Sequence, residues 1–253
     1  MIKKNIKNLI NYFGYDISKK RDFSQSIDEI VKIKISKNPI IIDVGANEGQ
    51  SIKRFKNLFE DPIIHSFEPI KEEFEKIKNK YQYHKNIFLN NYALGDKENE
   101  KEFNITKKTG NSSFNNVTKG TKWLKARSEE FKTTQDKYIK EKRNIKIDKL
   151  ENYFLKNNLK KIDLLKIDTQ GYEDKILEGS LNLIKENKID AILTEIMFDD
   201  VYDKYFSFSD LEKYLIPYNY RMVAIDLSNN NLFSGLVFAA DVLYLNKKKF
   251  NLK

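Results

Sequence analysis

Ile40-Ile41-Ile42-Asp43-Val44-Gly45-Ala46-Asn47-Glu48-Gly49 decides how this chain folds. The isoleucines are apolar on both faces, which marks a strand buried inside a parallel sheet. Two glycines follow where such a strand passes into a helix. Glycine there lets the backbone approach a ligand closely, and the helix start offers unpaired N–H donors. The dinucleotide pattern G-x-G-x-x-G is not met, because counting from Gly45 puts Asn47 and Gln50 where the second and third glycines belong. Asp43 also sits badly beside a pyrophosphate, since two anions would be neighbours. The same carboxylate suits a ligand with an ammonium, held directly or through water. An ordinary β-to-α turn, with glycines kept for packing, is the alternative.

Outward from this stretch the chain alternates strand and helix. Ile63-Ile64-His65-Ser66-Phe67 reads as a second strand, 71–83 as a charged helix, and Ile87-Phe88-Leu89 as the start of a third strand. Further strands are expected at 163–167, 191–194, 221–226 and 242–245, with helices at 173–187 and 208–215, the latter closed by Pro217. Seven strands with intervening helices predict a doubly wound, three-layer α/β sandwich. The last two strands lack a helix between them, so they should form an antiparallel pair at one sheet edge. Residues 1–36 read as a helical extension, with Ile2, Ile6, Leu9, Ile10 and Phe13, then Ile27, Ile30, Val31 and Ile35, at helical spacing.

The alternation breaks between Asp96 and Leu159. This polar, Lys-rich stretch holds the only tryptophan, Trp123, and is expected to contain a helix over about 121–142. A connection of this length is usually functional, so 97–160 reads as an insertion covering the site; a surface excursion without a role is the alternative.

Composition narrows the function classes. A chain of 253 residues, 40% apolar and 33% charged, supports one substantial core. Its net charge of +9 comes from 46 basic residues interleaved with 37 acidic ones, not from a basic stripe, so a solvated surface is expected and no nucleic-acid partner. No cysteine is present, which excludes disulfides, thiolate metal sites and a Cys nucleophile. Of two histidines, His65 lies inside a strand, where a hydrogen-bonded core role is expected, and His84 has no supporting motif. No signal peptide or stable membrane insertion is expected, since no run approaches about 18 apolar residues; a cytoplasmic location follows. Tyr138-x-x-x-Lys142 imitates a dehydrogenase pair, but the same spacing recurs at Tyr15/Lys19, Tyr81/Lys85 and Tyr244/Lys248, so it carries no information.

After the second strand comes Phe67-Glu68-Pro69, and Glu68 follows Gly49 by 19 residues. An acidic residue about 20 residues beyond a glycine turn is placed to accept both hydroxyls of a ribose. Joined to the Asp43 turn, it points to an adenosine ligand. Together with Asn91-Tyr92-Ala93-Leu94-Gly95 and Leu165-Lys166-Ile167-Asp168-Thr169-Gln170-Gly171-Tyr172-Glu173, these motifs resemble the FkbM family of class I methyltransferases, over roughly residues 38–246.

The resemblance implies a Rossmann-like, seven-stranded, mostly parallel sheet with an antiparallel last strand. It also implies S-adenosyl-L-methionine as donor, S-adenosyl-L-homocysteine as product, and a sugar or polyketide hydroxyl as acceptor. The methyltransferase domain would span 37–253. Carried onto this chain, Asp43, Gly45, Ala46, Asn47 and Gly49 would line the methionine and ribose part. Glu68 and Pro69 would meet the ribose, and Asn91 and Ala93 would flank the adenine. Ser112-Ser113 resembles a serine pair of the family.

Strand alternation puts Lys166 and Asp168 on one face at the carboxyl edge of the sheet, where such folds bind ligands. A lysine in an apolar strand needs a partner, and Asp168, Asp43 and Glu195 are candidates. Asp168 is the first choice for the acceptor pocket, followed by Glu195 and Glu173, as groups that take the acceptor's proton. A purely structural Asp168–Lys166 pair is an alternative, as is a divalent ion on paired carboxylates, although no metal is expected. Trp123, Tyr202 and Tyr205 form either a stacking wall or core. What the resemblance implies is an O-methyltransferase acting on a saccharide or nucleotide-activated sugar in surface polysaccharide or related glycan biosynthesis, with a homo-oligomer compatible with the sequence. The alternatives are methylation of another small molecule or of nucleic acid, and a non-catalytic cofactor-binding domain.

Overall fold

The structure, a computed structural model, describes residues 26–227 and 237–252. The helical pattern expected over 2–13 lies outside them. A large sheet contains β1 (Ile40–Val44), β2 (Ile63–Phe67), β3 (Ile87–Asn90), β7 (Ile162–Ile167), β8 (Ile189–Met197), β9 (Tyr220–Asp226) and β10 (Ala239–Asn246). A small sheet contains β4 (Ala93–Leu94), β5 (Asn99–Thr106) and β6 (Ile139–Asp148). The large sheet runs β3-β2-β1-β7-β8-β10-β9, parallel except for β10, which pairs antiparallel with both β8 and β9. The expected seven-stranded, doubly wound sandwich and its antiparallel edge pair are borne out.

Both faces are covered, which is why β7 and most of β8 are buried along their length. One face packs Ile41, Ile64 and Leu164 against α1 (Ile27–Lys34), α2 (Gln50–Leu58) and α3 (Lys71–Tyr81), through Ile27, Val31, Ile52, Phe55 and Ile77. A capping box starts α1: Ser26 Oγ accepts from Glu29 N at 3.2 Å, and Glu29 Oε2 accepts from Ser26 N at 2.9 Å. The other face packs Ile42, Leu165 and Ile192 against α5 (Leu150–Lys156), α6 (Glu173–Glu178), α7 (Leu181–Lys185) and α8 (Phe208–Leu215). His65 is buried in β2, with Nδ1 2.8 Å from the Tyr153 hydroxyl, and burial lowers its pKa to about 4.

Two expected helices come out differently. The helix over 121–142 is confined to α4 (Lys122–Glu130), because Lys132 turns left-handed (φ +48°) and the chain re-enters as β6, antiparallel to β5. The helix over 173–187 is split into α6 and α7 at Gly179, whose backbone meets the Gly95 carbonyl so closely that any Cβ would overlap it. The insertion therefore carries a β-sheet. With residues of the main domain it builds two small apolar clusters, one around Phe103, Phe114, Ile145 and Tyr172, the other around Trp123, Leu124, Tyr138 and Tyr202.

Candidate functional site

The turn after β1 is held open by left-handed Gly45 (φ +82°), Asn47 (φ +45°) and Gly49 (φ +84°), the last of which precedes α2. Gly45 is required twice over, since a Cβ there would also collide with the Asp168 carbonyl. The amides of Gly45 and Ala46 both donate to Phe67 O at 3.1 Å, which ties the turn to the end of β2. The next residue closes the link: Glu68 accepts from Asn47 N at 2.7 Å and from Ile70 N at 2.8 Å. Burial pushes the Glu68 carboxyl up to about 7, opposed by these two backbone donors.

A cleft of about 610 Å³, counted to its open mouth, runs along this turn. One end is polar, formed by Gly45, Asn47, Glu68 and Asp168. The other is an apolar slot of Ile70, Ala93, Leu94 and the rings of Phe103, Phe114 and Tyr172. Phe103 meets Phe114 edge-on at 4.7 Å, and Phe114 meets Tyr172 at 4.6 Å. Thr109, Gly110 and Ser112 of the insertion complete the wall. Among the described lining residues the ionisable acids are Glu68 and Asp168, and no Lys, Arg or His is present.

Behind the cleft lies a charged network. Lys166 Nζ donates to Gly45 O at 3.0 Å and lies 3.4 Å from Asp43 Oδ1 and 3.5 Å from Asp168 Oδ2. Burial pulls the Lys166 pKa down most strongly, but the Asp168 and Asp43 carboxylates more than reverse this, and the lysine is held above its usual range. Asp43 is wholly buried; its Oδ2 accepts from Ser66 Oγ at 3.1 Å, while its Oδ1 has no hydrogen bond. Gln170 sits at φ +59°, and its Nε2 donates to Asp168 Oδ1 at 3.0 Å and to Glu195 Oε2 at 2.8 Å. The Tyr202 hydroxyl lies 3.0 Å from Gln170 Oε1 and 2.9 Å from Asn111 O. Burial, then the neighbouring carboxylates of Asp168, Glu173 and Asp241, raise the Glu195 pKa well above its ordinary value. A left-handed non-glycine residue tied to four groups is strain held in place by its surroundings, a mark of functional loops.

Of the residues read from sequence, Gly45, Asn47, Glu68, Pro69, Ala93, Ser112 and Asp168 line the cleft. The others stand behind it. Ala46 faces the core, and Gly49 packs on Tyr81 and Ile77. Asn91 Nδ2 donates to Glu68 O at 2.9 Å and to Pro69 O at 3.3 Å, fixing the loop that carries Glu68. Glu173 turns inward, where its Oε1 accepts from Thr169 N at 2.8 Å, and burial raises it to about 7. Trp123 and Tyr202 are buried in one cluster, with Tyr205 packed against it. Ser113 staples the insertion to the site, its Oγ donating to Gln170 O at 2.7 Å, while Ser112 braces the insertion itself, its Oγ accepting from Thr106 N at 3.1 Å. Sequence reading missed Gln170, Phe103, Phe114 and Tyr172. For Gln170 the only local signal was its place between Asp168 and Gly171. Among the described residues no cluster of acids and histidines is arranged to hold a metal, and no helix is long and apolar enough to cross a membrane.

A mostly parallel seven-stranded sheet with a glycine turn after β1, an acid after β2 and a cleft at the carboxyl edge defines a Rossmann-like α/β protein of ligand-binding type. Residues 43–222 match the Methyltransferase FkbM domain, and the chain belongs to the FkbM family of methyltransferases. Comparison with curated proteins gives no match. Among solved structures, the chain is similar to Aeropyrum pernix fibrillarin in complex with S-adenosyl-L-methionine (11% identity, 84% of this chain and 68% of that one, TM-score 0.46). It is also similar to an rRNA methylase from Streptococcus thermophilus (10%, 91% and 99%, 0.45). A third is the precorrin-6y C5,15-methyltransferase of Geobacter metallireducens (9%, 91% and 94%, 0.44).

Proposed function

We propose that this methyltransferase uses S-adenosyl-L-methionine to methylate a hydroxyl of a saccharide or sugar nucleotide, in assembly of a surface polysaccharide or related glycan. The observation that carries the donor half is the charge of the cleft: its described ionisable lining is two carboxylates, Glu68 and Asp168, with no cation. A wall without Lys, Arg or His gives a pyrophosphate no counter-charge, and Glu68, raised to about 7 by burial, is suited to hydroxyls and not to phosphate. The residues fit this cofactor in shape as well. Glu68, already holding two backbone amides, keeps lone pairs for a ribose diol. The slot of Phe103, Phe114 and Tyr172 suits a flat purine. Gly45, having no side chain, lets the Asp168 backbone close against the turn.

When bound, the cofactor supplies an electrophilic methyl group on a positively charged sulfur. The chain's own part is to align an acceptor hydroxyl and take its proton, and alignment supplies much of the rate. Asp168, on the cleft wall, is the first candidate to receive that proton; Glu195, which shares the Gln170 amide with Asp168, is the second. Glu173 acts at one remove, holding Thr169 and so the loop that carries Asp168. Lys166 and Asp43 anchor the turn through Gly45 O. The 97–160 insertion, which supplies Phe103, Thr109, Gly110 and Phe114 to the wall, acts as a lid.

Titration calorimetry with S-adenosyl-L-homocysteine and with NAD tests the donor half. Binding of the first and not the second is expected, and the reverse result overturns the proposal. Incubation with methyl-labelled donor and a panel of nucleotide-activated sugars, with the methyl located by NMR, tests the acceptor half. Label recovered on nitrogen or in nucleic acid alone would replace it.

A further inference from the structure

Asp168 stands between two cavities. It lines the cleft just described, and it also lines a second space of about 720 Å³, counted to its open mouth, together with Gln50, Ser51, Arg54, Lys166, Thr194 and Asp241. Strand register explains why these groups meet. Lys166 on β7 is the Cα partner of Asp43 on β1, and Asp241 on β10 is the Cα partner of Glu195 on β8. Directly opposed residues point to the same side of a sheet, so Glu195 and Asp241 share one face at the carboxyl edge of β8.

The charges around this second space are not equally free. Its cations are committed: Lys166 to Gly45 O and the Asp43 carboxylate, Arg54 to Asp28 at 2.6 Å. Its acids are not. The Asp241 carboxyl makes no hydrogen bond or ion pair among the described residues, and Asp168 spends one oxygen on Gln170. Burial, then the charge of Asp168, raises Asp241 to about 6. Asp241 is half-buried, and its carboxylate oxygens remain available to a ligand in this space. Free acceptor oxygens and committed cations disfavour a phosphate in this space and favour a molecule rich in hydroxyl donors.

We propose that this second cavity receives the methyl acceptor, and that Asp241 is a specificity residue accepting hydrogen bonds from the hydroxyls of an uncharged sugar ring. Any phosphate on a larger acceptor stays outside it. The hydroxyl to be methylated then lies at Asp168, the wall common to both spaces. This rests on the O-methyltransferase reading above.

The test uses the full chain saturated with S-adenosyl-L-homocysteine, its binding followed by calorimetry in the same samples. Saturation-transfer NMR then compares a panel of neutral saccharides with their phosphate esters, on wild type, Asp241→Ala and Asp241→Asn. Neutral saccharides are expected to bind wild type in preference to their esters. Their affinity should fall about tenfold or more in Asp241→Ala, the worth of one hydrogen bond to a charged group, and less in Asp241→Asn, which keeps an acceptor oxygen. Affinity for S-adenosyl-L-homocysteine and the melting temperature should hold in both variants. Saccharide binding indifferent to both variants, preference for the phosphate esters, or no saccharide binding overturns the inference. Failure of wild type to bind S-adenosyl-L-homocysteine overturns instead the reading on which it rests.

Discussion

Lys166 Nζ lies 3.4 Å from Asp43 Oδ1, across two parallel strands whose Cα atoms pair directly, with side chains 9% and 0% exposed. The pair joins the core of the sheet to the ligand edge, because the same ammonium also holds Gly45 O. A buried pair of this kind adds little net stability against an apolar replacement, but breaking it strands a charge. Lys166→Met is therefore expected to lower unfolding free energy by about 3–5 kcal/mol. Asp43→Asn combined with Lys166→Met should recover most of that loss. Urea unfolding of the single and double variants measures both values, and strictly additive losses would show that the two residues are not coupled.

Gly45→Ala should be damaging out of proportion to one methyl group. The position needs a left-handed backbone, and the added carbon meets the Asp168 carbonyl. Left-handed strain costs about 1–3 kcal/mol, and the collision adds to it. Calorimetry should show loss of S-adenosyl-L-homocysteine binding even where circular dichroism reports a folded chain. Wild-type affinity in this variant would remove the turn from the binding site.

Glu68 links pH to stability. Its carboxyl is raised to about 7 by burial, against an ordinary value of 4.5. A carboxyl that holds its proton more tightly when folded contributes stability that is full below 4.5 and is lost as pH rises to about 7. Glu68→Gln removes this dependence. Relative to wild type, the variant should gain on the order of 1–3 kcal/mol between the two limits, whatever its starting value, and lose affinity for S-adenosyl-L-homocysteine. Parallel pH–stability curves for the two proteins would contradict the assignment.

Gln170 is expected to matter for turnover more than for cofactor binding. Its amide nitrogen bridges Asp168 and Glu195, while its oxygen faces the Tyr202 hydroxyl. Gln170→Leu should reduce kcat by roughly 10–100-fold, the scale of a misplaced proton acceptor, with little change in affinity for S-adenosyl-L-homocysteine. Tyr202→Phe should do the same more weakly. Equal losses in kcat and in cofactor affinity would mean that the loop serves the donor side.

Much of the turn after β1 and its cleft was legible because it is local. The isoleucine run, the two glycines and Glu68 lie within 29 residues, counted from Ile40 to Glu68, and each acts through backbone geometry that the residue type enforces. The helix at Phe208–Leu215 was legible for the same reason, with Ser207 capping it and Pro217 beyond it. β6 was not. Its sequence Ile139-Lys140-Glu141-Lys142-Arg143-Asn144-Ile145-Lys146-Ile147-Asp148 has a helix-forming composition, and only Ile145 and Ile147 are buried. Pairing with β5 overrides that local preference.

The sequence alone determined the fold's ingredients: strands apolar on both faces, a glycine turn too tight for side chains, and an acid placed after β2. Tertiary structure decided which carboxylates line the cavities. Asp43 and Glu173, read as facing the cleft, turn inward to Lys166 and Thr169. Asp241, which no motif marks, arrives beside the site because β10 pairs antiparallel with β8 and sets it opposite Glu195. Residue type fixes what a carboxylate is able to do, but strand register, set by contacts far apart in the chain, fixes what it faces.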